Sequence, residues 1–548
     1  MTQPSDTLKS APSPSPPNAS ATSALGPLRV PEFRMLWFTW LTANVCMWMN
    51  DVAAAWMMSA MTTTPIWVAL VQTASTLPVF LLGLPSGALA DILNRKLFLL
   101  FTQIWVTGVA LLLCGAILMD VMSPPLLLAL TFANGIGLAL RWPVFAAIVP
   151  DLVPRAQLPA ALALNGISMN ASRIVGPLVA GALIASLGSA YVFLLNAVLS
   201  LVAGWIISRW QHTPAPQPLG REKLLSAIRV GLQYVGQSRH LQGVLVRISL
   251  FFFHSTALLA LLPLVARGLK SGAAGTYTLM LSSMGAGAIV AALGLPRLRR
   301  GWSRDALVAR GALLQSAAML VVAFAPNAWW AVLAMFAAGM AWITTANSLS
   351  VSAQMGLPGW VRARGMSVFQ MAIMGAAALG AAIWGQIATL ASVQTSLLIA
   401  AGTGAISIFV ANRLMVDNSI EEDLTPTRNF KIPVVDAPPV SGHIVSSIEY
   451  LIDPAQAVAF RKLMQESRRN RLSHGALSWE LLRDIGQPGR YVEQIIDASW
   501  ADHLRRFERV TAIDAALRDC KLAFHVGESP PFVTRSVVES TIRHKDPV

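Results

Sequence analysis

The chain has 548 residues, of which 55% are hydrophobic and only 12% charged, with a mean hydropathy of +0.57. Globular proteins carry roughly 25% charged residues, so a soluble chain of this composition could not cover its own surface, and ordinary soluble enzymes are excluded. The net charge of +14 suggests nucleic acid, but 24 Lys/Arg face 9 Asp/Glu over residues 1–417 and 17 face 18 over 418–548. The excess belongs to the apolar part, so no nucleic-acid partner is expected. Cys46, Cys114 and Cys520 lie at unrelated spacings and give no disulfide framework or metal motif.

Residues 1–27 are rich in Ser, Pro, Ala and Thr and include Pro12-Ser13-Pro14-Ser15-Pro16-Pro17. Such a segment cannot bury a core and is expected to be disordered. Apolar sequence starts only near Phe33, too late for a cleavable leader. Twelve apolar runs follow, at 35–60, 66–90, 97–119, 125–148, 160–186, 190–209, 243–265, 274–296, 306–325, 328–350, 363–387 and 393–412. Each is near the ~20 residues that cross a bilayer as a helix. Backbone groups in lipid must bond internally, and the Gly, Ala and Leu content lacks the alternation of barrel strands.

The segment 212–242 divides the runs six and six. It opens as a linker and continues from Leu224 to Tyr234 as a surface helix. The expected units are therefore a half at 28–211, a cytoplasmic linker at 212–242, a half at 243–412 and a second linker at 413–440. Each half has a Pro and Arg loop after its fourth run, Pro150 to Arg155 and Leu357 to Arg362. That correspondence indicates an internal repeat of six-helix units, a common transporter plan. The amino terminus and the even-numbered loops carry nearly all the cations, whereas the odd-numbered loops hold only Arg267 and Lys270. By the positive-inside rule both termini are cytoplasmic. The expected location is a bacterial cytoplasmic (inner) membrane, with the bilayer as a partner.

In the first run, Trp37, Trp40, Asn44, Trp48, Asp51 and Ala55 recur at spacings of three and four, which places them on one helical face. Asp51 is the one acidic residue well inside a run, and intramembrane charges are expensive and usually functional. We expect this face to line a central cavity, with Asp51 carrying protons or forming a structural ion pair. Arg141 and Arg173 are the other deep charges. Either neutralises Asp51, meets an anionic group on a substrate, or serves structure. His254, beside Phe251, Phe252 and Phe253, titrates in the cavity or is a hydrogen-bonded packing residue. No phosphate-cradling glycine run is present, so nothing in the sequence points to an ATP-driven pump; the expected driving force is the proton gradient, and no cofactor is expected.

Gly87-Ala88-Leu89-Ala90-Asp91-Ile92-Leu93-Asn94-Arg95-Lys96 joins the second and third runs. This resembles the signature loop of the major facilitator superfamily, with Ile92 for an Arg and Asn94 for a Gly. The resemblance implies that Gly87, Asp91, Arg95 and Lys96 gate the cytoplasmic side. Phe33 to Trp37, Pro150 to Arg155, Leu158 to Ala161 and Asn170-Ala171-Ser172-Arg173-Ile174-Val175-Gly176-Pro177 resemble the enterobactin-exporter-like branch, the transmembrane secretion effectors. Gly176, Pro177 and Gly181 are similar to the antiporter motif of proton-driven exporters. The resemblance implies a secondary active, proton-coupled exporter of a small amphiphilic molecule such as a siderophore, drug or metabolite.

Residues 441–548 change character. Ile444 to Ile452 reads as a strand, Pro454 to Arg471 as a helix, and Leu477 to Ile485 with Arg490 to Ala498 as a hairpin. From Ser499 one helix is expected through Leu517, then a strand near 531–539. This βαββαβ order is ferredoxin-like. It resembles the small antibiotic-biosynthesis-monooxygenase-like domains, which implies dimer formation. His443, His474 and His503 are dispersed and give no catalytic set. The overall expectation is an all-α membrane protein of twelve transmembrane helices with a small α+β cytoplasmic domain. Its alternative is a membrane-anchored modifying or sensing protein whose soluble domain is the active part.

Overall fold

The computed structural model describes residues 25–154, 157–210, 224–269, 274–414 and 441–539, together with Thr425, Thr427, Pro433, Val435 and Pro439. Residues 1–24 of the expected amino-terminal disorder, residues 212–223 of the first linker, most of the second linker, Arg155 and Lys270 lie outside the described residues.

Twelve long helices cover the twelve apolar runs. The first six are α1 (Pro31–Met61), α2 (Pro65–Ile92), α3 (Arg95–Leu118), α4 (Pro124–Leu152), α5 (Leu158–Ser186) and α6 (Ser189–Arg209). A short helix, α7 (Leu224–Gln237), precedes α8 (Arg239–Gly268), α9 (Ala274–Gly301), α10 (Arg304–Ala323), α11 (Ala328–Met355), α12 (Arg362–Leu390) and α13 (Val393–Leu414). Among the described residues, eleven helices, α2 to α6 and α8 to α13, are long and apolar enough to cross a membrane. The 31-residue α1 has the length, but Asn44, Asn50 and Asp51 lower its hydropathy.

The ends of the helices are written locally. Proline occupies the first turn of α1, α2, α4 and α5, where the missing N–H costs nothing. Side chains of Asn94, Ser238, Ser303 and Asn327 cap α3, α8, α10 and α11.

Helices α1 to α6 form one bundle and α8 to α13 another, joined across by α2 against α12 and α5 against α9. Small residues permit these approaches. Gly287 faces the Phe336 carbonyl and Gly339 the Met284 carbonyl where α9 crosses α11, leaving no room for a Cβ. The apolar cores are distributed unevenly. At the end where α1 meets α2 and α3 meets α4, one buried cluster takes residues from both bundles, among them Met49, Val68, Phe193, Leu258, Tyr277 and Met335. At the opposite end, where α7 lies, the clusters are separate: Phe33, Trp40, Phe145 and Ile148 in one bundle, Phe251, Phe252, Leu349 and Phe369 in the other. The bundles are thus sealed at one end and independently packed at the other.

The tail contains β1 (Ile444–Leu451), α14 (Ala457–Ser473), β2 (Ser478–Arg483), β3 (Arg490–Asp497), α15 (Trp500–Glu508), α16 (Ala512–Leu522) and β4 (Phe532–Val537). Its antiparallel sheet has the order β2-β3-β1-β4. Tyr450, Phe460, Met464 and Tyr491 fill its core. The single helix expected from Ser499 is two helices. Thr511 starts α16 with a capping box to Asp514, and Thr427 N–H donates to the Val510 carbonyl while Ala512 N–H donates to that of Thr425. The backbone bonds to Thr425 and Thr427 and a strong cap outweigh the helical periodicity there.

The tail rests on α7 and on the loop between α11 and α12. Gln233 Nε2 donates to the Ala476 carbonyl at 3.3 Å. Trp360 lies 5.8 Å from the Tyr234 ring and 5.6 Å from the His474 ring, with the Arg509 guanidinium 4.8 Å from its centre. Gly475 has φ +104°, and a Cβ there would sit 2.9 Å from both Val230 and Arg509.

Candidate transport site between the two bundles

The α1 face carries the site, but it does not look in one direction. Trp37 Nε1 donates to the Leu164 carbonyl of α5 at 3.1 Å, and Trp40 stacks on Phe145 of α4 at 4.0 Å. Both pack inside the first bundle instead of lining a space between bundles, because α1 is surrounded at that end. Asn44 is fully buried and returns Nδ2 to the Trp40 carbonyl at 3.0 Å. Only further along does the face reach across.

There, Arg173 of α5 lies 5.3 Å from the Trp48 ring of α1 and 5.6 Å from the Trp342 ring of α11. One cation is held between aromatic faces from opposite bundles, an arrangement favoured by the ring quadrupoles. Its Nε and Nη1 are buried with no hydrogen-bond partner among the described residues. Buried donors without partners are costly. Asp51, one turn on from Trp48, accepts from Ser75 Oγ of α2 at 2.6 Å. Nearby in sequence, Trp56 of α1 stacks with Tyr277 of α9 at 6.0 Å. Arg267 closes that end, standing 4.3 Å over Trp56 and donating from Nε to Ser59 Oγ at 2.8 Å.

Among the described residues neither Arg141 nor Arg173 forms an ion pair with Asp51; its bonded partner is Ser75. Arg141 is 6% exposed, points Nη2 at the Ala43 carbonyl at 3.5 Å and lies 5.7 Å from the Trp40 ring. It belongs to the first bundle's interior. His254 is separate again. Its Nδ1 meets the Leu250 carbonyl at 2.7 Å, and it lines a small cavity among α8, α10 and α13 with Ser255, Gln315 and Gly404.

The antiporter-like residues sit where α5 is pinched. Gly176 abuts Trp48 and the Val45 carbonyl of α1, and Gly181 abuts Thr278 of α9, so α5 packs closely on both bundles. In the loop between α2 and α3, Asn94 Oδ1 accepts from the N–H groups of Lys96 and Leu97 at 3.0 and 3.4 Å. One of the two residues that depart from the signature thus starts α3, just before Arg95 and Lys96. The side chains of Gly87 and Asp91 lie outside the described residues. Sequence reasoning missed Ser75, Tyr277 and Trp342. Arg267 carried a signal, as one of two cations on its side, while Trp342 carried none.

The sequence profile of the transmembrane secretion effector family matches residues 22–542. The staphyloferrin A transporter of Staphylococcus aureus (strain NCTC 8325 / PS 47) is 23% identical over 257 residues, 46% of this chain and 63% of that protein. The uncharacterized MFS-type transporter YfiS of Bacillus subtilis (strain 168) is 29% identical over 178 residues, 31% of this chain and 41% of that protein. The chain thus spans less than two thirds of these relatives' lengths. The nucleoside transporter NupG aligns with a TM-score of 0.57 at 14% identity, covering 71% of this chain and 100% of that one. A bacterial homolog of the human lysosomal transporter Spinster, in an inward-facing and occupied conformation, also gives 0.57 at 14% identity, covering 71% and 97%. These two likenesses concern the fold. The chain belongs to the transmembrane secretion effector family and is a multi-pass membrane transporter of the major facilitator type.

Proposed function

We propose that this transporter is a proton-coupled exporter of a small amphiphilic molecule with an anionic or aromatic group, working by alternating access. The observation that carries the reading is Arg173, held between Trp48 and Trp342 of opposite bundles with two unpartnered nitrogens. A ligand oxyanion there would be gripped by both bundles at once, so their rocking would change its access. Asp51 with Ser75 is the proton carrier, because a carboxyl in the apolar bundle exchanges a proton more readily than it keeps a bare charge.

In this reading α1 is the twelfth span and both termini are cytoplasmic. The shared core then seals the outside and the separated cores face the cytoplasm, which supports an inward-facing state. Gly87, Asp91, Arg95 and Lys96 would close the cytoplasmic side in the opposite state. The similarity to the staphyloferrin A transporter supports a siderophore-class substrate. The exposed Leu482, Phe532, Val533 and Val537 of the tail sheet support pairing with a second copy.

The test is transport by proteoliposomes under an imposed pH gradient, with staphyloferrin A as the first substrate tried. Asp51→Asn should abolish gradient-driven accumulation while sparing exchange without a gradient. Unchanged gradient-driven transport would remove Asp51 from the mechanism.

A further inference from the structure

The tail contains a cleft that the transport reading leaves unused. It lies where the end of α14 meets α15 and α16, and is lined by Arg471, His474, Arg506, Asp514, Arg518 and Lys521 among others. Its volume with the open mouth is about 380 Å³. Its interior is narrow, with room for roughly one water-sized group, so only one end of a ligand would enter.

Charged groups crowd this cleft. Glu493 is fully buried and serves both Arg471 Nε at 3.4 Å and Lys521 Nζ at 3.3 Å. Asp497 Oδ2 serves both His503 Nδ1 at 2.7 Å and Arg506 Nη2 at 3.1 Å. Arg471, Arg506 and Lys521 thus lean on these two carboxylates, and Asp514, the third acid at the cleft, accepts from Asn470, His474 and both the N–H and Oγ of Thr511. Arg506 is 6% exposed, and its Nη1 is buried without a partner among the described residues. Burial, with the Arg471 cation beside it, pushes Lys521 down to about 8. A buried guanidinium donor without a partner is costly, and an oxyanion entering the cleft would satisfy it.

We propose that this cleft is a binding site for a small cytoplasmic molecule presenting a carboxylate or phosphate group, and that its occupancy is felt at the Trp360 loop of the membrane part. Arg506 and Lys521 receive the oxyanion, and Arg471 and Arg518 flank the mouth. The connection is short. His474 lines the cleft, bonds through Nε2 to the Arg509 carbonyl at 3.2 Å, and lies against Trp360, while Arg509 Nη1 donates to the His474 carbonyl at 2.8 Å and covers the same indole. Trp360 in turn sits in the loop that leads into α12, the helix packed against α2 of the other bundle. Tightening of α14 against α15 by a bound anion therefore bears on an element that joins the two bundles. The site is independent of the substrate position at Arg173.

The test uses the full chain in detergent micelles, titrated calorimetrically with citrate and with inorganic phosphate, chloride serving as the ionic-strength control. At least one oxyanion should bind with a Kd below ~1 mM, and the better of the two identifies the chemistry. Arg506→Gln should weaken binding at least tenfold. Because that residue is buried, Arg518→Gln at the mouth is the second variant, expected to weaken it several-fold without disturbing the tail's fold. Deuterium uptake at residues 357–362 should fall on binding. Absence of binding by both anions at ~10 mM, or equal affinity in the folded variants, overturns the site. Binding with unchanged exchange at 357–362 overturns its connection to the membrane part.

Discussion

The membrane bundles and the soluble tail treat buried polarity in opposite ways. In the bundles, Arg173 Nε and Nη1, Arg141 Nε, and both amide atoms of Gln315 are buried without partners among the described residues. In the tail, Glu493 alone accepts from Trp479, Ser467, Tyr450, Lys521 and Arg471, and only Ser446 Oγ and Arg506 Nη1 are left open among the described residues. A small domain has little apolar area to spare, so an unpaired buried charge would cost a large fraction of its stability. In the proposed transport cycle the open donors of Arg173 are completed by a ligand. The contrast separates the closed Glu493 network, which holds a fold, from donors that wait for a ligand, Arg506 Nη1 at the tail's cleft among them.

The largest effect should come from opening the tail's closed network. Glu493→Gln leaves Arg471 and Lys521 without their carboxylate, as Glu493 is fully buried between them. It should destabilise the tail by about 3–5 kcal/mol, measured by denaturant unfolding followed through the β-sheet signal. A loss below 1 kcal/mol would show that the network is not what holds the tail.

Acid should loosen the same domain more gently. Burial opposes ionisation of Asp514, but His474 and Thr511 outweigh it and hold the carboxyl down at about 2, against 3.8 unperturbed. A folded value below the unfolded one gives stabilisation that is complete above the unfolded value and lost as pH falls through about 2. The shift is worth about 2 kcal/mol. Asp514→Asn should remove that part of the tail's acid sensitivity in unfolding curves.

Opening the bundles' waiting polarity should do the reverse. Arg173→Gln should lower substrate exchange at least tenfold, about 1.4 kcal/mol, while leaving the thermal unfolding of the detergent-solubilised chain nearly unchanged. A large loss of stability with intact exchange would move Arg173 to the structural side of the contrast. The smallest effect belongs to local capping. Thr511→Ala removes the cap of α16 and should cost about 1 kcal/mol, read in the same tail unfolding.

Much of this architecture was legible because its signals are local. Runs near twenty apolar residues mark helices whatever surrounds them, and first-turn prolines such as Pro31 and Pro124 mark their starts. The tail's strands were legible from β-rich runs bounded by turn residues. The break between α15 and α16 was not, since periodicity continues from His503 to Leu517 and the interruption depends on backbone bonds to Thr425 and Thr427, far away in sequence. The α1 face was legible as unusual but not as divided. Trp37 and Trp40 turn to α5 and α4, whereas Trp48 turns to a cation shared with α11. Ser75, the partner of Asp51, lies on another helix and carries no sequence mark.

The sequence by itself determined membrane residence, the helical runs, the asymmetry of loop cations and the order of the tail's elements. These follow from composition and short-range periodicity, which act along the chain. Tertiary structure decided which helix faces meet, that the bundles share a core at one end only, and that the tail's His474 and Arg509 reach Trp360. Those outcomes depend on close approaches at residues such as Gly181, Gly287 and Gly339. Where backbones nearly touch, the partner is chosen by fit across space, and spacing along the chain does not encode that fit.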